Sequence, residues 1–123
     1  MSVRESRLFL TDCCARFAFD LLSNTWNVVM IWALRDGSRR PIELRERIGG
    51  ISSKVLTDTL RRLEFNGLVA RPAYPGSPPH VEYGLTPLGR TLLDPINTIG
   101  AWAFKHGDEV MAAQDAAESA GGR

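Results

Sequence analysis

The stretch Ile51 to Gly67, ISSKVLTDTLRRLEFNG, constrains this chain more than any other, because the helix it writes dictates what can flank it. Ser52 is a good N-cap, Gly67 a good residue just past a helix end, and nothing between them breaks a helix. Leu56, Leu60 and Leu63 recur at i, i+4 and i+7 and make one narrow apolar stripe. Lys54, Thr57, Asp58 and Arg61 fall on the opposite face. Such a helix buries one edge and offers the other to something polar and anionic. Taken alone, it also fits an ordinary amphipathic surface helix.

The flanks narrow the choice. Leu68 to Arg71 reads as a strand, Tyr74-Pro75-Gly76-Ser77-Pro78-Pro79 as a turn no helix could cross, and His80 to Leu85 as a returning strand. Upstream, Pro41 to Ile48 reads as a helix with Pro41 preset for its first turn. Leu44 and Ile48 share one face of it, Ile42 falls off that face, and Gly49-Gly50 makes the turn into Ser52. Cys13 to Leu22 reads as a first helix with Phe17 and Leu21 on one side. Ser23-Asn24-Thr25 supplies cap chemistry for a second, Trp26 to about Asp36, which is apolar almost all round and should form the buried centre.

After the hairpin, Thr86-Pro87 is an N-cap with proline at the first helical position. Leu88, Leu92, Ile96, Ile99 and Ala103 then recur at i, i+4, i+8, i+11 and i+15. So small a domain cannot bury that stripe by itself, and a dimer seam containing Leu88, Leu92, Ile96 and Ile99 is expected, with Pro95 bending the helix near its middle. Leu8 to Leu10 could tie the N-terminus to a partner subunit. Beyond Gly107 the chain turns alanine-rich and acidic, and both a short extra helix and a frayed tail remain open.

The expected architecture is one domain, residues 1–123, mainly α with a small β-hairpin wing: a winged helix-turn-helix with N- and C-terminal dimerisation helices. Composition agrees with a globular chain, 44% hydrophobic and 24% charged. No apolar run approaches the ~20 residues of a membrane span, and the charged N-terminus lacks a signal-peptide pattern, so a cytoplasmic protein without a membrane partner is expected. Net charge is only +1, but residues 35–90 hold ten Lys/Arg against six Asp/Glu, and residues 91–123 hold two against five. The basic excess thus sits on the segment that would meet DNA phosphates. His80 and His106 share no spacing with a carboxylate or cysteine, and neither a catalytic constellation, a metal-ligand pattern nor a cofactor motif is present.

GISSKVLTDTLRRLEFNGLV followed by YPGSPPHVEYGLTPLGR resembles the HxlR-type family of bacterial transcriptional regulators, over roughly Cys13 to His106. The resemblance implies a homodimer that reads double-stranded operator DNA, pseudo-palindromic, with the Ser52–Gly67 helix in the major groove. On that reading Lys54, Thr57, Asp58 and Arg61 face base edges and phosphates, Ser52 and Ser53 bond phosphate, and Arg39, Arg40 and His80 are further phosphate contacts. Asp58 has another reading, an intrahelical pair with Lys54 or Arg62. Asn24-Thr25, Pro41-Ile42 and Phe65 depart from the family's usual residues, and His80 stands where arginine is frequent.

The Cys13 to Trp26 spacing matches the family's N-terminal cysteine, which some members use as a thiol sensor. Physically, a thiol near a helix start and near Arg16 has a lowered pKa, so Cys13 and the adjacent Cys14 are redox-sensing candidates; a buried small hydrophobe is the other reading. A small-molecule effector held between the long helix and the winged domain, lined by Trp26, Trp32 or Trp102, is the second signal considered. A winged-helix module for protein contacts, without sequence-specific DNA binding, is the alternative to the whole reading.

Overall fold

The computed structural model describes residues 15–75 and 80–121. The chain forms α1 (Ala15–Ser23), α2 (Thr25–Ala33), α3 (Pro41–Ile48), α4 (Ser53–Phe65), β1 (Val69–Ala70), β2 (Ala73–Tyr74), β3 (His80–Val81), β4 (Gly84–Leu85), α5 (Pro87–Arg90) and α6 (Leu93–Gly121).

Cap chemistry starts the helices where the residues say it should. Asn24 Oδ1 accepts from the Trp26 amide at 3.0 Å, Ser52 Oγ from Val55 at 3.1 Å, and Thr86 Oγ from Gly89 at 3.0 Å. At α3 the Arg40 amide donates to Glu43 Oε1 at 2.8 Å, and Pro41 occupies the first turn. α2 lies at the centre, with Met30, Ile31 and the following Leu34 fully buried and α1, α3, α4 and α6 packed around it. Leu44 anchors α3 and Leu56, Leu60 and Leu63 anchor α4 in the same core, while Ile42 faces solvent.

The hairpin keeps one antiparallel register, Val69 opposite Leu85, Ala70 opposite Gly84, Ala73 opposite Val81 and Tyr74 opposite His80. The expected strands are each split in two, at Arg71-Pro72 and Glu82-Tyr83. Pro72 has no amide to donate, so it only accepts, from the Glu82 N–H at 3.2 Å. Tyr83 turns its backbone the other way and exchanges two hydrogen bonds with Arg39, at 2.8 and 2.9 Å. The segment before α3 therefore stands beside the wing as a third, single-residue strand.

Thr86 joins the wing to α4 and α5. Its hydroxyl donates to the Gly67 carbonyl at 2.6 Å while capping α5, and its amide donates to the Leu68 carbonyl at 3.1 Å. Gly67 is in the left-handed region at φ +76°, which lets α4 end directly into β1. Gly89 is close-packed: a Cβ there would collide with the Leu68 carbonyl oxygen and press on Leu85.

The C-terminal third departs from expectation in three respects and settles the question left open beyond Gly107. The helix starting at Thr86 is two helices, separated at Thr91 and Leu92. Pro95 falls in the first turn of α6, where an amide has no helical acceptor, so it bends nothing. α6 runs unbroken through Gly107 to Gly121, 29 residues and ~44 Å, so residues 107–121 are helix and not a tail. The proposed seam is also divided. Leu92 and Ile96 pack into the chain's own core, Leu88 stands exposed on α5 near Gly67, and only Ile99, half exposed, remains outward on α6.

Two buried positions should respond in opposite directions to substitution. Thr59 on α4 is fully buried with no partner for its hydroxyl among the described residues, so Thr59→Val should raise stability by about 1 kcal/mol. Gly89→Ala should lower it by about 1–3 kcal/mol through overpacking against Leu68. Urea unfolding of the two variants beside the parent checks both signs.

Candidate nucleic-acid interface

α3 and α4 are joined by Gly49 and Gly50, at φ +72° and +69°, a turn that side chains with a Cβ resist. Ile51 and Leu56, the residue before the cap and the fourth helical residue of α4, are both buried in the core, the pattern of a hydrophobic staple. Together they fix the angle at which α4 leaves the turn and hold its N-terminus outward. Once Ser52 Oγ has taken the Val55 amide, the amides of Ser53 and Lys54 have no helical acceptor and remain available to an anion.

The outward face carries Ser53, Lys54, Asp58 and Arg61, with Thr57 half-buried at its margin. Lys54 Nζ lies 2.9 Å from Asp58 Oδ2, so the intrahelical pairing of Asp58 is realised with Lys54. That hydrogen bond, aided by the fields of Lys54, Arg61 and Arg62, holds the Asp58 carboxyl below its ordinary value. Arg61 is exposed and makes no hydrogen bond or ion pair among the described residues. Of the cations on this outward face, Lys54 is engaged and Arg61 has its donors uncommitted.

The supporting cations are divided by tertiary contacts that the sequence did not signal. Arg40 is exposed, 3.4 Å from His80 Nδ1, while His80 Nε2 lies 3.0 Å from Glu82 Oε2. His80 is half-buried at the start of β3, the turn end of the wing, beside Arg40 at the start of α3. Arg39 is drawn inward instead, 3.4 Å from Asp36 Oδ1. Asp36 is held in bidentate fashion by Arg47 at 2.9 and 3.0 Å. The Arg47 hydrogen bonds, then that of Arg39, hold the Asp36 carboxyl far below the usual carboxylate range. Arg47 and Asp36 carry no signal in the sequence because they stand eleven residues apart and meet only in the fold, whereas Glu82 lies two residues from His80 and that short spacing could have flagged it.

Of the three tryptophans considered for a pocket, Trp32 alone lines the groove between α2 and α6; the groove's volume is about 1100 Å³. Trp26 packs against the core, and Trp102 points to the outer side of α6, its ring 5.5 Å from that of His106. Cys13 and Cys14 lie outside the described residues.

Helix, glycine turn, second helix with a charged outward face, then a hairpin docked on that helix: this arrangement defines a winged helix-turn-helix, the class of DNA-binding transcriptional regulators. The chain belongs to the family of HxlR-like helix-turn-helix proteins, whose model matches residues 21–111. It is 39% identical over 113 residues to the HTH-type transcriptional regulator YtfH of Escherichia coli, covering 92% of this chain and 90% of that one. Among solved structures it is similar to the YtfH transcriptional regulator of Salmonella typhimurium, with 38% identity, TM-score 0.73 and coverage of 88% and 96%. It is also similar to the redox regulator HypR in its reduced form, with 33% identity, TM-score 0.74 and coverage of 80% and 97%. No helix among the described residues is long and apolar enough to cross a membrane.

The Asp36 geometry has a pH consequence. Because its folded pKa is depressed, its stabilisation is present above the unfolded carboxylate value near ~4 and is lost as pH falls below it. Asp36→Asn should therefore lower stability at neutral pH and flatten the acid limb of the stability profile. Thermal unfolding between pH 2 and 7 measures both effects.

Proposed function

We propose that the protein is a homodimeric, sequence-specific transcriptional repressor that binds operator DNA in the cytoplasm through α4. The observation that carries the reading is the exposed face of α4, with open amides at Ser53 and Lys54 and an uncommitted Arg61, together with the exposed Arg40 beside the wing residue His80. Arg61 reads a base edge, Lys54 exchanges Asp58 for phosphate, and Ser52 and Ser53 bond the backbone. Two copies of α4 reach successive major grooves about 34 Å apart, so the operator is pseudo-palindromic.

Dimerisation rests on α6. Past Ile96 the helix is almost wholly exposed, yet Ile99, Ala103, His106, Val110, Ala113 and Ala117 fall at alternating spacings of three and four. A ~44 Å helix gains little from its own domain along such a stripe, and a second α6 supports it. The signal that switches the dimer enters through Cys13 and Cys14 or through a small molecule in the groove between α2 and α6.

Gel-shift titration in increasing salt tests the DNA reading. Arg61→Ala should cost ~1–3 kcal/mol on the operator and relax preference at one base position, whereas Lys54→Ala should weaken every sequence and reduce the salt slope by about one. Binding that ignores salt would favour the protein-contact module, for which Phe65, 89% exposed at the end of α4, would be the docking residue. Sedimentation tests the assembly. Val110→Asp should give monomer, because it places a charge in the α6 seam, and a variant that stays dimeric excludes that seam.

A further inference from the structure

The groove between the winged domain and α6 has chemistry that the DNA-binding face does not use. Leu22, Val28, Val29 and Trp32 form its floor, Ile48 its α3 end, and Ile99 and Phe104 its α6 wall. Its ionisable lining residues are Arg35, Arg47 and Lys105, with no carboxylate among them. Arg47 is already neutralised by Asp36 at 2.9 Å. Neither Arg35 nor Lys105 has an acidic partner among the described residues.

Arg35 is pre-organised. Its guanidinium sits 4.8 Å over the Trp32 ring and donates to the Trp32 carbonyl at 3.0 Å. Its own backbone carbonyl accepts from Arg90 at 3.3 Å. One donor of the guanidinium is used in this way and the rest remain open. Phe104 is 96% exposed on the facing helix, an arrangement that costs free energy in water unless an apolar body covers the ring.

We propose that this groove binds an amphipathic organic anion, an aromatic or medium-chain aliphatic carboxylate, with its apolar body between Trp32 and Phe104 and its carboxylate on Arg35 and Lys105. This rests on the reading of the chain as a signal-responsive DNA-binding regulator and gives the chemical class of the signal. A volume of about 1100 Å³ suits a molecule of drug size or somewhat larger, not a simple inorganic ion. The consequence for DNA follows from the walls. Ile48 lies directly before the Gly49–Gly50 turn into α4, and α6 is the opposite wall. A ligand that grips both sets the angle between α4 and α6, and so the separation of the two α4 helices in a dimer. It shifts DNA affinity by as much as it prefers one angle over the other.

Calorimetric titration of the full-length protein with 1-naphthoate, 1-naphthamide and 1-naphthylmethylammonium is the test. The carboxylate should bind once per protomer, at least about tenfold tighter than the neutral amide, and the cation should not bind. Arg35→Gln and Lys105→Glu should each weaken naphthoate about fivefold or more and leave the amide unchanged. Gly100→Leu, which fills the groove from α6 and lies outside the stripe assigned to the dimer, should abolish binding of both. Circular dichroism and the salt slope on duplex DNA, measured without ligand, report folding and the DNA reading separately. Equal affinity for carboxylate and amide, or indifference to both charge variants, overturns the proposal. So does the absence of binding with a dimer that dissociates on Lys105→Glu, which would make the groove the seat of a second copy.

Discussion

Everything that positions α4 depends on the burial of α2. Met30, Ile31 and Leu34 are removed from water by helices that approach from several sides, and none of those helices could bury its own narrow stripe without that shared centre. α4 contributes Leu56, Leu60 and Leu63, α3 contributes Leu44, and α6 contributes Ile96. At ~25 cal/mol per Å² the burial of each such side chain is worth ~1.5–3 kcal/mol, far more than the exposed ion pairs nearby. The charged face of α4 is outward because its apolar face is committed inward.

A second, polar constraint fixes the wing. Thr86 caps α5, donates to the carbonyl that ends α4 and pairs with Leu68, so one residue ties three elements together. Gly67 supplies the left-handed turn and Gly89 the close approach that make this junction possible. Tyr83 and Arg39 add a backbone pair that brings the start of α3 against the wing. The helix-turn-helix and the hairpin are consequently one rigid surface, with Arg40 and His80 at the joint between them.

Electrostatics then sorts the cations by task. Lys54 is paired with Asp58, and Arg39 and Arg47 converge on Asp36, whereas Arg61 and Arg40 are exposed without an acidic partner among the described residues and Arg35 and Lys105 line the groove. A net charge of +1 conceals this division, since cations on different faces answer to different partners.

Local patterns were legible in the sequence because they depend on neighbours in the chain. The caps at Asn24, Ser52 and Thr86, the Leu56-Leu60-Leu63 stripe, the Gly49-Gly50 turn and the family itself all belong to that kind. Pro95 misled, since its effect depends on how far it stands from a helix start, and that start was set by the break at Thr91 and Leu92. The periodic run from Leu88 to Ala103 likewise looked like one face, although Leu92 and Ile96 turn into the core and Leu88 sits on another helix. Tertiary structure alone decided that Asp36 binds Arg47, that His80 stands beside Arg40, and that Trp32, not Trp26 or Trp102, faces the groove. The physical reason is range: hydrogen bonds and burial along a helix are fixed by spacings of three and four residues, whereas a contact such as Arg40 to His80 exists only after the core has brought distant segments together.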